Sequence, residues 1–253
     1  MNKLTKAGIA GLFLSLTAVL ASCGSSSETS SDTVAVTADV FPVTVGDLTL
    51  DAQPTRIISL SPTATEMLYA IGAGSQVVAV DEYSNYPAEA VALGTPLSGF
   101  EPNIEAISGY TPDLVIISYD PGSLVEQLST LDIPVFVAGA AMSIENVYEQ
   151  IEQLGVLTGN SQKAIEVSKT LQTGIEEAVA SVQFSEPPLS YYYELDNTYY
   201  SVTSNTFIGQ IFNLFGMRNI ADNVESGNDY PQLSAEVIVS SDPDFIFLAD
   251  TKC

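Results

Sequence analysis

The sequence predicts an α/β protein made of two lobes of related build, each with a parallel sheet. The first observation is a repeat: residues 104–117 read IEAISGYTPDLVII, and residues 235–248 read AEVIVSSDPDFIFL. In both copies a short helical pattern leads through Pro-Asp into an unbroken apolar run, which is typical of a strand buried on both faces of a parallel sheet. The other two observations are a strand–helix rhythm in the first half of the chain and one long helical pattern between the copies.

The strand–helix rhythm defines the first lobe. Short apolar runs (RIISLS, QVVAVD, DLVIISY and PVFVAG) alternate with helical patterns over residues 54–140, which favours βαβ units and a parallel sheet. Pro62 lies at a predicted first helical position, and Thr63-x-x-Glu66 has the spacing of a capping box. Before this sheet, residues 33–53 alternate apolar and polar around Gly46-Asp47, which predicts an edge hairpin.

Two helical patterns follow the first lobe. Residues 143–157 are amphipathic, and residues 161–182 form a longer helix. At about 1.5 Å per residue the longer helix spans about 30 Å, enough to cross from one lobe to the other. We therefore predict an N-terminal lobe over residues 34–140, a helical connector over 141–185 and a C-terminal lobe over 186–253.

The second lobe has fewer predicted elements than the first. LSYYYEL and the 245–250 run FIFLAD are predicted strands, with a helix near residues 205–215. These elements are too few for a complete α/β lobe, so we expect the C-terminal lobe to be truncated.

The N-terminus predicts the compartment. Lys3 and Lys6 precede an uncharged apolar run that ends at Leu20-Ala21-Ser22-Cys23. This is the pattern of a secretory signal, and small residues before a cysteine resemble the lipobox of bacterial lipoproteins. We predict a signal peptide over residues 1–22, acylation of Cys23 and a flexible tether over 23–33, with the protein anchored extracytoplasmically to a bacterial cell membrane. The alternative is an ordinary signal peptide with an incidental cysteine.

The composition excludes several classes of function. The chain has 31 Asp and Glu against 7 Lys and Arg, a formal net charge of −24, so nucleic acid is an unfavourable partner. It contains no histidine, which excludes a Ser/His/Asp triad and removes the commonest transition-metal ligand. We predict no catalytic residues and no protein metal site; hydrolysis by a carboxylate pair stays open as an enzymatic alternative.

Aromatic residues recur where the predicted strands end. Ligands of open α/β lobes bind beyond the carboxyl ends of the strands. The aromatic residues predicted there are Tyr83, Tyr119, Tyr200 and Tyr230, and Phe100 lies just before the first copy of the repeat. Rigid rings give a large contact area at little entropic cost, which suits a macrocycle or a metal chelate. For any single tyrosine, packing in the core is the alternative.

Three segments together resemble one family: RIISLSPTATEMLYAIGAGSQVVAVDEYSNYP, NIEAISGYTPDLVII and YPQLSAEVIVSSDPDFIFL. They are similar to the iron-chelate and cobalamin class of substrate-binding proteins of ABC importers, in lipoprotein form, from about Val40 to the end of the chain. The resemblance implies two Rossmann-like lobes joined by a single long helix, which matches residues 161–182. It also implies that Tyr83, Tyr119 and Tyr230 meet the ligand, and that the partners are the permease subunits of an importer.

The resemblance assigns a role to the repeated glutamates. Members of the family carry one exposed glutamate on each lobe that engages arginines of the permease, and Glu105 and Glu236 occupy those positions. One anionic group per lobe also suits a permease of roughly two-fold symmetry, since carboxylate–arginine pairs supply orientation and steering. The alternative role is stabilisation of the helix dipole in a first turn.

The ligand stays open among a ferric siderophore, cobalamin and haem, with no further cofactor expected. Few cations are available for a polyanionic catecholate chelate, so a nearly neutral corrinoid or a neutral or cationic ferric chelate suits the sequence better. Haem held by a tyrosine ligand is an alternative, and the absence of tryptophan departs from the corrinoid-binding members. We expect a monomer; a sensor or adhesin on the same fold, without a permease, is the other reading.

Overall fold

The computed structural model describes residues 39–249. The predicted signal peptide 1–22, the lipidated Cys23 and the tether 23–33 lie outside these residues and stay predictions. A short antiparallel hairpin opens the described chain, as the alternation around Gly46 predicts. Its strands are β1 (Val43–Val45) and β2 (Leu48–Leu50), with Val43 paired to Leu50.

A four-stranded parallel sheet forms the first lobe. Its elements, in chain order, are β3 (Ile57–Leu60), α1 (Pro62–Ala70), β4 (Val77–Val80), α2 (Ala88–Val91), α3 (Ile104–Gly109), β5 (Leu114–Ile117), α4 (Leu124–Ser129) and β6 (Val135–Val137). The strand order in the sheet is β4-β3-β5-β6. All of the pairings in this sheet are parallel. The predicted βαβ rhythm is confirmed.

Both faces of this sheet are buried, because side chains of the central strands alternate between two apolar clusters. Ile57 and Ile116 pack with Leu68 of α1 on one face. Ile58 and Val115 pack on the other face with residues of α3 and α4. Successive side chains of a strand point to opposite faces, so an unbroken apolar run satisfies both layers.

Two antiparallel helices connect the first sheet to the second. They are α5 (Ile144–Thr158) and α6 (Ser161–Ala180), close to the predicted bounds 143–157 and 161–182. Gly159 ends α5 in the left-handed conformation. Gly155 lies so near Ala164 that an added Cβ would stand 2.4 Å from the Ala164 Cβ, which lets the two helices pack closely. No helix within residues 39–249 is long and apolar enough to cross a bilayer.

A three-stranded parallel sheet follows. Its elements are β7 (Ser190–Glu194), α7 (Phe207–Leu214), β8 (Arg218–Asn219), α8 (Ala235–Ser241) and β9 (Phe245–Leu248). The strand order in this sheet is β8-β7-β9. Tyr191 and Tyr192 of the central strand are fully buried, and Phe212 of α7 stacks on Tyr191 with the ring centroids 4.3 Å apart. The predicted strands at LSYYYEL and FIFLAD are confirmed.

The burial predicted for the second repeat is wrong. Phe245, Ile246 and Leu248 are exposed, whereas the matching strand β5 is buried throughout. Within residues 39–249, β9 is an edge strand that pairs with β7 alone. An apolar run therefore identified the strand but not its position in the sheet.

The predicted capping box at Thr63 and Glu66 is also wrong. The residue that caps α1 is Ser61, whose hydroxyl accepts a hydrogen bond from the Ala64 N–H. Pro62 occupies the first helical position, which suits the fixed φ of proline. Thr63 is therefore already inside the helix and cannot be its cap.

The aspartate of the repeated Pro-Asp pair has the same structural role in both lobes. Asp113, just before β5, accepts hydrogen bonds from the backbone N–H groups of Thr55 and Arg56 at the start of β3. Asp244, just before β9, accepts from the backbone N–H and hydroxyl of Ser190 at the start of β7. These bonds hold the pKa of Asp244 below its usual range. Each carboxylate thus fixes the beginning of one strand against its parallel neighbour.

Asp113→Ala should lower the free energy of unfolding by about 1–3 kcal/mol, the cost of leaving N–H groups without a charged acceptor. Urea denaturation followed by circular dichroism measures this loss. Asp51→Ala, which removes an exposed carboxylate from the hairpin side, should change the free energy by less than about 0.5 kcal/mol. Equal effects of the two substitutions would contradict the role given to Asp113.

Candidate functional site

Three predicted site residues meet at the carboxyl ends of the first sheet. The ring centroids of Tyr83 and Phe100 are 5.3 Å apart with an edge-to-face angle of 82°, and those of Phe100 and Tyr119 are 6.3 Å apart. The side chains are 54%, 61% and 43% exposed for Tyr83, Phe100 and Tyr119. This first aromatic cluster is therefore a set of rings in contact with one another that still offers about half of its surface to solvent.

The turns that carry these rings are held by backbone contacts. Asp81 forms an isolated parallel bridge with Leu97, and the Glu82 N–H donates to the Leu97 carbonyl over 2.9 Å. Gly99, next to Phe100, passes so close to β3 that an added Cβ would stand 2.8 Å from the Leu60 carbonyl oxygen. A glycine is needed at this close approach, and it brings Phe100 toward Tyr83.

A chain of buried polar side chains lies beneath the cluster. It consists of Ser59, Thr65, Ser84 and Asp81, each 4% exposed or less. The chain starts at the Ser61 carbonyl oxygen, which lies 3.1 Å from Ser59 Oγ. Thr65 Oγ1 lies 2.9 Å from Ser59 Oγ and 2.9 Å from Ser84 Oγ. The chain ends at Asp81, whose Oδ1 lies 2.5 Å from Ser84 Oγ. Burial raises the pKa of Asp81, more than the hydrogen bonds from Ser84 lower it.

Tyr200 and Tyr230 lie on two neighbouring segments of the second lobe. Ser201 N–H donates to the Pro231 carbonyl over 2.9 Å, and Tyr200 forms an antiparallel bridge with Gln232. Both tyrosines are exposed. The ring contacts among residues 39–249 do not join them to the first aromatic cluster, so the structure groups the predicted residues as a set of three and a set of two.

Asp229 lies beside Tyr230 and is held by two donors. Thr203 Oγ1 donates to Asp229 Oδ1 over 2.8 Å, and Asn205 Nδ2 donates to the same oxygen over 3.1 Å. These bonds hold the pKa of Asp229 below its usual range. The second set of tyrosines therefore has an ionised carboxylate next to it at neutral pH.

The cations of residues 39–249 lie away from these rings. Arg56 precedes β3 and donates to the Tyr110 carbonyl, and Arg218 begins β8, so both lie at the amino ends of their sheets. Lys163 and Lys169 are on α6, where Lys163 pairs with Glu166 over 3.1 Å. The carboxyl ends of the strands instead lead into acidic residues that are exposed or partly exposed: Glu82 after β4, Asp120 after β5 and Glu194 at the end of β7.

Glu105 and Glu236 occupy matching places. Each is an exposed residue in the first turn of a helix, α3 for Glu105 and α8 for Glu236. The two helices have matching caps: Asn103 accepts from the Ala106 N–H, and Ser234 accepts from the Val237 N–H. A helix that returns between parallel strands starts at their carboxyl ends, so each glutamate lies at the same edge as the aromatic residues of its lobe.

The buried hydroxyl chain was not predicted from the sequence. Its signal is present in RIISLSPTATE, where Ser59 interrupts an otherwise apolar strand and Thr65 lies on the buried face of α1. A serine in the middle of such a strand needs a partner once it is buried. Among residues 39–249, no group of three or more His, Cys, Asp or Glu side chains is placed to hold a metal ion.

Comparisons with known proteins agree with this architecture. The sequence model of the periplasmic binding protein family matches residues 57–252. A cobalamin-binding protein of Halobacterium salinarum is 36% identical over 218 residues, covering 81% of this chain and 58% of the relative's length. The chain belongs to the periplasmic binding protein family.

Two solved structures share the fold. A possible iron-binding, periplasmic solute-binding protein of Staphylococcus epidermidis superimposes with a TM-score of 0.72 at 23% identity, over 79% of each chain. The periplasmic vitamin B12 binding protein BtuF of Vibrio cholerae superimposes with a TM-score of 0.62 at 30% identity, over 78% of this chain and 77% of that one. The α/β fold with parallel sheets predicted from the sequence is confirmed.

Phe100→Ala should change the free energy of unfolding by less than about 1 kcal/mol, because the ring is largely exposed. Phe136→Ala, which truncates a core ring of β6, should cost about 3–5 kcal/mol. Chemical denaturation of the two variants measures both values. A loss of similar size at Phe100 would mean that the first aromatic cluster serves the core and is not a contact surface.

Proposed function

We propose that this protein is the substrate-binding component of an ABC importer, and that it captures a neutral or cationic metal chelate of the corrinoid type between its two lobes. Lipid on Cys23 would anchor it to the outer face of the cell membrane, as the residues before that cysteine suggest. The observation that carries the ligand class is that, in residues 39–249, the cationic side chains lie away from the exposed aromatic rings.

The distance between the cationic side chains and the aromatic rings argues against an anionic ligand. Exposed rings and carboxylates share the carboxyl ends of the strands, whereas Arg56 and Arg218 lie at the opposite ends. A tris-catecholate ferric chelate or the propionates of haem would meet acidic groups without a cation from these residues to balance them. A neutral or cationic corrinoid meets no such repulsion, and its large macrocycle suits a wall of rings.

The relatives favour the same ligand class. The names of the Halobacterium salinarum relative and of the Vibrio cholerae structure state that those proteins bind cobalamin or vitamin B12. The chain spans 58% of the length of the first of them. These names support the choice of ligand to test first.

A ligand panel tests the proposal. The chain has 12 tyrosines and no tryptophan, so quenching of tyrosine fluorescence, together with calorimetry, reports binding. We expect cyanocobalamin to bind, and a tris-catecholate ferric chelate to bind at least about 100-fold more weakly, a difference of about 2.7 kcal/mol. Haem and a cationic ferric hydroxamate complete the panel.

Phe100→Ala should weaken binding of cyanocobalamin at least about tenfold, because it removes the ring that joins Tyr83 to Tyr119. Phe184→Ala is the matched control, since Phe184 is an exposed ring between α6 and β7; it should leave the affinity unchanged. Tight binding of the catecholate chelate, or equal affinities for cyanocobalamin in the two variants, would contradict the proposal.

Delivery to the permease would use Glu105 and Glu236. Support comes from their matching places: both are exposed, both lie in a first turn, and each lies at the carboxyl edge of its sheet. Two carboxylates in equivalent positions suit two arginine-bearing permease subunits, and charge pairs of this kind mainly set orientation and association rate.

The double variant Glu105→Ala/Glu236→Ala should bind the permease of its importer at least about tenfold more weakly, with chelate affinity unchanged. Surface-immobilised permease in nanodiscs measures this binding. Glu126→Ala/Glu145→Ala removes two other first-turn glutamates, on α4 and α5, and controls for helix-dipole effects. If the docking variant binds like the wild type, the docking role is wrong and a sensor or adhesin becomes the better reading.

A further inference from the structure

Asp81 is a buried carboxyl group at the end of the hydroxyl chain beneath the first aromatic cluster. The chain makes four oxygen–oxygen contacts between the Ser61 carbonyl at one end and the Asp81 carboxyl at the other. Three hydroxyls lie between these ends, those of Ser59, Thr65 and Ser84.

The four contacts need four protons, because each hydrogen bond has one donor hydrogen. Three hydroxyls supply three, and a backbone carbonyl supplies none. If Asp81 were ionised, one contact would hold two oxygens within 3.1 Å with no proton between them. A neutral carboxylic acid at Asp81 supplies the fourth proton and satisfies every contact.

The surroundings of Asp81 also disfavour its charged form. The segments packed around it are residues 57–61, α1, residues 81–86 and residues 95–101, and none of them contains Lys, Arg or His. The titratable groups on these segments are all acidic: Glu66, Tyr69, Glu82, Tyr83, Tyr86 and Glu101. Burial and Glu82 both raise the pKa of Asp81, against the hydrogen bonds from Ser84 that lower it. An unpaired buried charge is costly, so a neutral acid is favoured.

The Asp81 carboxyl group touches both turns that carry the aromatic cluster. Ser84, whose Oγ lies 2.5 Å from Asp81 Oδ1, is the residue after Tyr83. On the other side, a Cβ added to Gly99 would stand 3.0 Å from Asp81 Oδ2, and Gly99 precedes Phe100. The carboxyl group therefore lies between the backbone of one turn and the side chain of the other.

We infer that Asp81 is a positioning residue of the ligand site: as a neutral acid it holds the turns of Tyr83 and Phe100 together, and its ionisation loosens them. The consequence for ligand affinity rests on the proposed function; the coupling between Asp81 and the two rings does not. Binding at this wall should therefore weaken as the pH rises through the titration of Asp81.

Carbon-13 NMR of the ligand-free protein tests the inference directly, with the side-chain carboxyl carbons followed from about pH 3 to pH 9. Asp81 should titrate above the ordinary range of an aspartate. The ring resonances of Tyr83 and Phe100 should shift with the Asp81 midpoint. An Asp81 midpoint within or below that ordinary range, or ring resonances that do not follow it, would overturn the inference whether or not a ligand binds.

Two substitutions separate positioning from folding. Asp81→Asn cannot ionise, and its amide N–H still donates to Ser84. In this variant the ring resonances of Tyr83 and Phe100 should no longer shift with pH. Its affinity for cyanocobalamin should stay within about twofold of the low-pH wild-type value at every pH, whereas the affinity of the wild type should fall about tenfold as the pH rises. Asp81→Ala, which leaves Ser84 without that partner, should bind about tenfold more weakly at every pH.

Glu126→Gln, on α4, should keep the wild-type pH profile. If Asp81→Asn does not fold, the NMR titration of the wild type decides, because it needs no variant. Failure of cyanocobalamin to bind any variant would count against the proposed function, while the NMR titration would still decide the role of Asp81.

Discussion

The structure depends on a carboxylate that joins the starts of two parallel strands. Asp113 holds the backbone just before β3, and Asp244 holds the first residue of β7, each from the position just ahead of the neighbouring strand. A parallel pair has no tight turn to fix its register, so it needs a contact of this kind. With the amino ends fixed, the opposite ends of the strands are free to lead into loops that carry the site.

This constraint divides each sheet into two functional edges. The amino edge carries the structural carboxylates, Arg56 and Arg218. The carboxyl edge carries the exposed rings and the first turns of α3 and α8. The proposed contacts with a ligand and the proposed contacts with a permease thus involve the same edge of each lobe.

Most of the fold, and part of the candidate site, follow from local sequence patterns. Apolar runs in the sequence predict β3, β5 and β9, and the predicted strand ends place Tyr83 and Tyr119 in the candidate site. In the structure, these two rings are joined by contact with Phe100. The hydroxyl chain could not be predicted from the sequence, because Ser59, Thr65 and Ser84 are ordinary small polar residues. They come into hydrogen-bonding contact only when β3, α1 and the turn after β4 pack together. The exposure of β9 could not be predicted for a related reason, since a run of apolar residues does not indicate which strands will be its neighbours.

The acidic carboxyl edges have a kinetic consequence. A cationic chelate approaches them through an attractive long-range field, whereas a neutral one does not. Raising the ionic strength from about 0.01 M to about 0.15 M shortens the Debye length from about 30 Å to about 8 Å. The association rate of a cationic ligand should then fall while its dissociation rate changes little, and a neutral corrinoid should associate at the same rate in both buffers.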